Sequence, residues 1–384
     1  MITNLSESYY LGLLAKLCTT SANAEWVDLV QQIKRAEPDQ SLLFNLAVEH
    51  GVTGLMYSSF AEINTLELNQ FFEQINSFNQ HKIIATKFLD SEAKKLLNLF
   101  VEENIPFVVL KGFALAHSIY PTPESRTKSD IDIFIDTKYY EQAKQVFSQQ
   151  GYKNPRGWEP TAISNEFSMS KRIGEGMHVL FDVHTKISNS KVIQNLITFE
   201  ELSSSADTAS LPDINLINTP YALVHAIVHM LHHRAMGDKI KLIWYYDIYL
   251  LVERFTPVEL KQTKQLIILK ELVSVFSVGI DLTLGYFDSE KLRELQTWCK
   301  QPEIQAHSEN KYNVLLSSMS GVNGMLITLN NTPGFRNKWR LIQEIALPPK
   351  AEIYNKYGTQ TNQPLFWLYF RRIAGGIVKA LRAG

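Results

Sequence analysis

The sequence predicts a small mixed β-sheet unit, of the α+β or α/β class, embedded in a chain that is otherwise largely α-helical. Changes in the pattern of apolar residues predict this fold. Apolar residues recur at helical spacing through residues 1–104. Short β-rich runs and alternating patterns replace them from 105 to 190. Helical spacing returns from Tyr221 to about Trp298.

The predicted sheet unit begins with a strand at 105–110, a short apolar run rich in β-formers that ends at Lys111 and Gly112. A short helix follows at 113–120 and is stopped by two prolines. Isoleucines alternate with Asp and Phe over 131–135, which predicts a second strand.

The second half of the unit contains one more helix and two more strands. The helix at 139–150 is stopped by Gly151. Strands are predicted at 166–171 and 178–187, with a glycine-containing turn at 173–176 between them.

These patterns divide the chain into four regions. A helical region spans 1–104, and the α/β core spans 105–190. A helical domain at 191–332 opens with a polar, Ser/Asp-rich connection, and a basic helical segment occupies 333–384.

Composition indicates a globular protein with a sizeable core. The 384 residues are 45% hydrophobic and 20% charged, close to globular averages. A net charge of -1 gives no global basic field, so any nucleic-acid binding must be local. The two cysteines, Cys18 and Cys299, exclude a disulfide framework and an all-cysteine zinc site.

The sequence predicts neither export nor membrane insertion. The opening MITNLSESYY has no basic region followed by an apolar run, so it does not resemble a secretory signal. No stretch approaches the ~20 apolar residues that a membrane-spanning helix needs. We therefore expect a cytoplasmic protein without a transmembrane segment.

The most informative residues are three aspartates on predicted strands. Asp130 and Asp132 are two residues apart, so they share one face of a strand, and Asp182 lies on another strand between apolar neighbours. Close carboxylates repel unless a cation lies between them, and hard oxygen ligands favour Mg2+ or Mn2+. The plainer interpretation, acids at strand ends facing water, is weakened by their ordered context.

A second group of residues is suited to phosphate. Lys111 and Gly112 end a strand and open a helix, a geometry that brings backbone N–H groups and a cation to one point. An ordinary strand–helix turn would also use glycine here. Arg126 would donate to a phosphate oxygen or form a salt bridge to Glu124 or to the aspartates.

Two segments together resemble a known family. VVLKGFALAHSIYPTPESRTKSDIDIFI at 108–135 and FDVHTKI at 181–187 are similar to the bacterial uncharacterised nucleotidyltransferase family, of the polymerase-beta-like nucleotidyltransferase superfamily. The resemblance continues in LVHAIVHMLHH, LIWYYDIYLLV and RLIQEIALPPKAEIYNKYG. It therefore covers most of the chain.

The resemblance implies roles for the aspartates. Asp130 and Asp132 would hold the metals that bridge the nucleotide phosphates. Asp182 would ligate the catalytic metal and help to activate an acceptor hydroxyl. All three are therefore expected to be both catalytic residues and metal ligands.

The resemblance also implies a nucleotide-binding set. Gly112 would lie in the phosphate-binding turn, and Lys111, Arg126 and Ser129 are the other residues expected to contact the nucleotide. The wider superfamily usually carries Gly-Ser at this turn, whereas this chain has Lys111-Gly112-Phe113 and lacks the serine hydroxyl.

Other polar residues in apolar helices have several interpretations. Four histidines form one helical stripe at i, i+4, i+7 and i+8: His225, His229, His232 and His233. They are packed histidines, rings beside a substrate, or a zinc site that lacks an evident third ligand. Asp247 is either buried and hydrogen-bonded or faces the cleft. His184 shares a strand face with Asp182 and would orient a carboxylate or contact substrate.

The C-terminal segment 336–384 is basic and aromatic. It has nine Lys or Arg residues against two Glu, a net charge of +7, interleaved with Phe366, Trp367, Tyr369 and Phe370. Such a helix can make a weak contact with an anionic membrane surface or bind nucleic acid. The plainer interpretation is a terminal helix whose charges face water.

The sequence thus predicts an Mg2+-dependent (or Mn2+-dependent) nucleotidyltransferase. It would transfer a nucleoside monophosphate from a nucleoside triphosphate, with ATP expected, to an unknown small-molecule, sugar-phosphate or protein hydroxyl. A non-catalytic nucleotide-binding or regulatory module of the same fold is the alternative, although binding alone does not need three acids. A glycosyltransferase would need a larger α/β domain than 105–190 and would not call for Asp182.

Overall fold

The structure is a computed structural model that describes residues 6–19, 29, 38–60, 69–155, 165–174, 176–308, 310–319, 321–347, 350, 353, 357, 363–372 and 375. The C-terminal basic residues Lys356, Lys379 and Arg382 lie outside the described residues. Within the described residues the chain is mostly helical and contains one small sheet, so the predicted fold class is confirmed.

The N-terminal region is helical, as predicted. Its described helices are α1 (Glu7–Thr19), α2 (Gln40–Glu49), α3 (Thr53–Phe60) and the 34-residue α4 (Asn69–Glu102). The carboxylate of Asp39 accepts hydrogen bonds from the backbone N–H groups of Ser41 and Leu42 at the start of α2. This cap satisfies donors that a helix start otherwise leaves unpaired.

The α/β core follows the predicted order of elements. These are β1 (Phe107–Leu110), α5 (Lys111–Ser118), β2 (Ile131–Ile135), α6 (Tyr140–Gln149), β3 (Glu166–Gly174) and β4 (Met177–His184). Strand β3 extends past the predicted 171 because its hairpin with β4 continues to the Gly174–Met177 pair. Strand β4 ends before the predicted 187 because its register partner at His184 is Glu166, the first residue of β3.

The sheet is mixed, as predicted. Its strand order is β1-β2-β4-β3. Strand β2 is antiparallel to β1 and parallel to β4, and β3 is antiparallel to β4. Val109 of β1 also exchanges backbone hydrogen bonds with Asn215 and Ile217. The segment near 216 therefore covers the outer edge of β1 and joins the helical region to the sheet.

The two faces of the sheet differ in chemistry. One face is apolar and packs on α4 and α6 through aromatic rings. The ring of Phe147 lies 5.4 Å from Phe100, 6.4 Å from Phe167 and 5.3 Å from Phe181, measured between centroids. Because strand residues alternate between faces, the aspartates at 132 and 182 lie on the opposite face from Phe181.

Helices complete the rest of the described chain. They are α7 (Phe199–Ser204), α8 (Thr219–Ala235), α9 (Leu242–Arg254), α10 (Pro257–Leu269), α11 (Val273–Leu284), α12 (Glu290–Cys299), α13 (Pro302–Gln305), α14 (Gly321–Asn330) and α15 (Phe335–Ala346). Helix α8 packs against α9, α10 and α11 and also against α5 of the core. The four-region division of the chain stays a prediction.

The C-terminal segment exposes large aromatic side chains. Phe335 is 84% exposed, Trp339 is 54% exposed and Phe366 is 72% exposed. Exposed arginines, Arg336 and Arg371, lie close to them in the chain. In the described residues, no helix combines the length and the apolar character needed to cross a bilayer. Contact of this segment with an anionic surface stays a prediction.

The aromatic packing of Phe147 makes this residue a test of the core. We expect Phe147→Ala to lower the free energy of unfolding by about 3–5 kcal/mol, because it removes a buried ring and leaves a cavity. Denaturant unfolding measures the effect. The exposed Gln145 lies on the same helix, and Gln145→Ala should change stability by less than about 0.5 kcal/mol. Equal effects in the two variants would contradict this packing.

Candidate active site

Polar side chains form a row across three neighbouring strands. Asp132 of β2 is the register partner of Asp182 of β4, and Asp182 is in turn the partner of Ser168 of β3. Directly paired residues on adjacent strands point to the same face of a sheet. The register therefore brings the carboxylates of two predicted site residues side by side on the face that does not pack on α4 and α6.

Asp132 lies at one end of this row and is buried, with 4% of its surface exposed. Its Oδ1 lies 2.6 Å from the ammonium of Lys111 and 2.9 Å from Nε2 of His184. Burial alone would raise the pKa of Asp132, but the charge of Lys111 and the hydrogen bond with His184 hold this pKa well below its ordinary value. Asp132 is therefore a permanent carboxylate that already binds a cation.

Lys111 reaches Asp132 from the junction of β1 and α5. Its backbone φ is +49°, a left-handed conformation that costs a non-glycine residue on the order of 1 kcal/mol. Burial alone would lower the pKa of Lys111, but the neighbouring charge of Asp132 outweighs this and raises it. Strained backbone of this kind is found where surrounding structure enforces a functional geometry.

The other two aspartates are harder to ionise. Burial and the negative charge of Asp132 raise the pKa of Asp130 to about 6, although Lys111 opposes the shift. Burial also raises the pKa of Asp182, although its Oδ1 accepts a 2.6 Å hydrogen bond from the Ser168 hydroxyl. Negative charge at this end of the sheet is thus only partly compensated by the protein's own cations.

A cavity of about 370 Å3 opens beside this end of the sheet. Six of the seven predicted site residues line it: Lys111, Gly112, Arg126, Ser129, Asp130 and Asp132. Asp182 does not belong to the lining, although it is the neighbour of Asp132 on the sheet. The fold therefore gathers six of the predicted residues around the cavity, while Asp182 adjoins Asp132 on the sheet outside the lining.

The donor set fits a hard divalent cation. It consists of carboxylate oxygens, one of which already binds an ammonium group. Burial, together with the negative charge of Asp132, raises the pKa values of Asp130 and Asp182, and a cation beside them would offset that charge. Among the described residues, no three His, Cys, Asp or Glu side chains are yet arranged as a complete metal site. Asp130, Asp132 and Asp182 are the residues that would hold the ion.

Arg126 forms a buried ion pair that the sequence did not reveal. Its Nε and Nη2 donate to the two carboxylate oxygens of Asp247 at 2.8 and 2.7 Å, and the Tyr120 hydroxyl donates to the same carboxylate at 2.6 Å. Asp247 lies on α9, so this pair binds the loop before β2 to the helical region. Contact of Arg126 with a phosphate stays a prediction.

The same loop is held from its other side. The ammonium of Lys128, whose side chain is 1% exposed, lies 3.0 Å from Asp90 of α4. Nε2 of His117 lies 3.2 Å from the other Asp90 oxygen. Since Ser129 and Asp130 follow directly, the ion pairs of Arg126 and Lys128 determine where these two predicted site residues lie.

Three of the four predicted histidines line the cavity, together with Trp244 of α9: His225, His229 and His233. The centroid of His229 lies 5.8 Å from His225, 4.5 Å from His233 and 5.1 Å from Trp244. Burial, with a smaller effect from Lys111, lowers the pKa of His225 to about 3 and that of His229 well below its ordinary value. His232 lines a small apolar pocket of about 30 Å3, which His225 and His229 also border.

A small mixed sheet whose carboxylates meet a strand–glycine–helix turn is consistent with the polymerase-beta-like nucleotidyltransferase superfamily. The chain belongs to the family described as "Uncharacterised nucleotidyltransferase", whose family model matches residues 36–274, more than half of the chain. A comparison with curated proteins finds no match. The family match includes every predicted site residue. The resemblance at 340–358 and a bacterial origin stay predictions.

The buried pair of Arg126 and Asp247 can be tested by neutralising the acid. We expect Asp247→Asn to lower the free energy of unfolding by about 3–5 kcal/mol, because it leaves a buried guanidinium without its counter-charge. Asp288 forms an ion pair with Arg293 in which both side chains are more than half exposed. Asp288→Asn should therefore cost less than about 1 kcal/mol. Similar losses in the two variants would be evidence against a buried pair.

The raised pKa of Asp130 predicts a pH-dependent stability. Folding raises this pKa from about 3.9 to about 6, so the folded state binds the proton more tightly. The stabilisation is complete below about pH 4 and is lost as the pH rises through about 6. Asp130→Asn cannot titrate. We expect it to gain up to about 2–3 kcal/mol relative to the wild type between pH 4 and pH 7.

Urea unfolding at several pH values, with chelator present, measures this difference. Asp136→Asn is the control, because the pKa of Asp136 is shifted in the opposite direction: the backbone N–H of Lys138 lowers it. That variant should show no gain as the pH rises. A stability difference between Asp130→Asn and wild type that does not change with pH would rule out the raised pKa.

Proposed function

We propose that the chain is an Mg2+-dependent or Mn2+-dependent nucleotidyltransferase that transfers a nucleoside monophosphate from a nucleoside triphosphate, with ATP expected, to a hydroxyl acceptor. One observation carries the proposal. Asp132 and Asp182 are register partners on parallel strands, and Asp130 lies two residues before Asp132, beside a cavity that Lys111 and Gly112 also line. Membership of the nucleotidyltransferase family supports the same reaction class.

A divalent ion held by Asp130, Asp132 and Asp182 would polarise phosphate oxygens and favour in-line displacement of pyrophosphate. The protein's own residues would bind and orient the triphosphate. Lys111 places an ammonium at the first residue of α5, where backbone N–H groups favour an anion. Gly112 lines the cavity, and a Cβ added there would lie in ordinary van der Waals contact, 3.6 Å from Arg126 and from Lys128.

Asp182 is suited to take the proton of the acceptor hydroxyl. Its raised pKa favours proton acceptance. The Ser168 hydroxyl donates to Oδ1 and fixes the carboxylate, and among the described residues Oδ2 has no hydrogen-bond partner. An acceptor would therefore approach at Oδ2. The acceptor stays a prediction: a small molecule, a sugar phosphate or a protein hydroxyl. A cytoplasmic location also stays a prediction.

A non-catalytic nucleotide-binding or regulatory module is the second candidate, and two observations favour it. Lys111 already forms an ion pair with Asp132, and Nε2 of His184 lies 2.9 Å from the same carboxylate oxygen, so this carboxylate has partners within the protein. Asp182 lies outside the cavity lining. Such a module would bind the nucleotide but release no pyrophosphate.

Isothermal titration with ATP and Mg2+, paired with a pyrophosphate-release assay over a panel of hydroxyl acceptors, separates the two functions. We expect Asp182→Asn to lower metal-dependent pyrophosphate release by roughly 100-fold or more, because it removes the proton acceptor. ATP binding should persist, since Lys111 and Gly112 are unchanged. The control Asp281→Asn changes a half-exposed acid paired with Lys300 on another helix and should leave turnover unchanged.

Asp182→Asn is a better test of the proposed chemistry than a change at Asp132. Asp132→Ala would remove the partner of both Lys111 and His184 and so combine loss of activity with loss of stability. ATP binding without pyrophosphate release by the wild type on any acceptor would favour the non-catalytic module. Undiminished release by Asp182→Asn would exclude the proposed proton acceptor.

A further inference from the structure

One wall of the cavity is built from aromatic rings rather than charges. The ring wall consists of His225, His229 and His233 of α8 and Trp244 of α9. Trp244 lies 5.1 Å from both His229 and His233, measured between ring centroids. The three histidines recur at four-residue spacing, so they lie above one another on one side of α8.

The ring wall is held firmly in place. Helix α8 packs against α9. The first turn of α9 is tied to the loop after α2, because the backbone N–H of Leu242 donates to Nδ1 of His50 and that of Ile243 donates to the carbonyl of His50. A preorganised surface of this kind binds a ligand without first losing conformational freedom.

The inner rings have unused hydrogen-bonding groups. Among the described residues, neither His225 nor His229 has a hydrogen bond to its ring nitrogens. His225 is 93% buried, since its exposed fraction is 7%. Buried polar groups in native proteins nearly always have a partner. Both rings face the cavity, so a ligand bound there is the partner that the fold leaves room for.

The chemistry of the ring wall selects the class of ligand. Burial keeps His225 and His229 uncharged, so each ring offers one donor and one acceptor nitrogen beside an apolar face. Phosphate would instead seek cations, and the cations that line the cavity belong to other segments: Lys111 at the β1–α5 junction, Arg126 and Lys128 in the loop before β2, and Lys241 at the N-terminal cap of α9. A flat, neutral heterocycle with its own donors and acceptors matches both properties of the wall.

We propose that the ring wall is the binding site for the base of the nucleotide donor, with Trp244 stacking on its plane and the nitrogens of His225 and His229 contacting its edge, since the His229 ring stands at 77° to that of Trp244. This inference rests on the proposed function, which supplies the triphosphate end of the same molecule. Lys111 acts electrostatically on both His225 and His229, so the inner end of the wall adjoins the phosphate-binding residues. The base then extends towards His233, whose side chain is 35% exposed.

Isothermal titration with ATP, GTP, CTP, UTP and inorganic tripolyphosphate, all with Mg2+, tests the inference. The wild type should bind at least one nucleotide more tightly than tripolyphosphate. Trp244→Leu should weaken that nucleotide roughly fivefold or more, the loss expected for one stacking ring, and leave tripolyphosphate binding unchanged. Trp244→Phe, which keeps an aromatic plane, should retain most of the affinity.

His229→Leu gives a second, independent variant. It removes ring nitrogens as well as the ring, so it should also alter the order of preference among the four nucleotides. Trp298→Leu is the matched control, because Trp298 contacts Lys264 on a different pair of helices and does not line the cavity. Thermal unfolding of each variant confirms that it is folded.

The outcomes separate the two proposals. Equal weakening of nucleotide and tripolyphosphate by Trp244→Leu would show that Trp244 only supports the fold of the cavity, and would overturn the base site. Unchanged nucleotide binding in both Trp244→Leu and His229→Leu would overturn it as well, while the proposed function stands. If the wild type bound neither nucleotide nor tripolyphosphate, the proposed function itself would fail.

Discussion

The buried carboxylate of Asp132 is the constraint on which the site depends. Its two partners come from different elements, Lys111 from the β1–α5 junction and His184 from the end of β4. An unpaired charge at this depth would cost several kcal/mol, so all three elements must meet in one arrangement. The left-handed backbone of Lys111 is acceptable because the ion pair offsets its conformational cost.

Residues along each strand alternate between the two faces of the sheet, so core packing lies on one face and the ionisable groups lie on the other. The face with Phe181 supports folding through aromatic packing on α4 and α6, while the face with Asp132 and Asp182 carries the ionisable groups. Helix α8 then covers this face with the rings of His225, His229 and His233, and burial lowers the pKa values of the first two. The cavity thereby has an ionic end and an aromatic side, a division that matches the two halves of a nucleotide.

Much of the core could be predicted from sequence because its signals are local. The alternation over 131–135 predicts the face of Asp132, and the order of the strands follows from short runs and turns. Strand β2 begins at Ile131, so Asp130 lies just before the strand rather than within it. The partner of Arg126 could not be predicted, since Asp247 is 121 residues away and only tertiary packing brings it near. The sequence predicts that α5 begins at Phe113, whereas it begins at Lys111. A helix start with a left-handed residue is not expected from the usual sequence patterns. Asp182 lies on the strand that the sequence predicts. Whether its side chain lines the cavity depends on tertiary packing, including its hydrogen bond with Ser168, which the sequence does not predict.

The loop that carries Arg126 and Lys128 ties the α/β core to the helices around it. Its counter-ions come from Asp247 of α9 and Asp90 of α4, which lie on opposite sides of the core in the chain. A fragment limited to the α/β unit would leave Arg126 and Lys128 without their counter-ions and would expose the ring of Phe147. The site would therefore not form in the isolated unit.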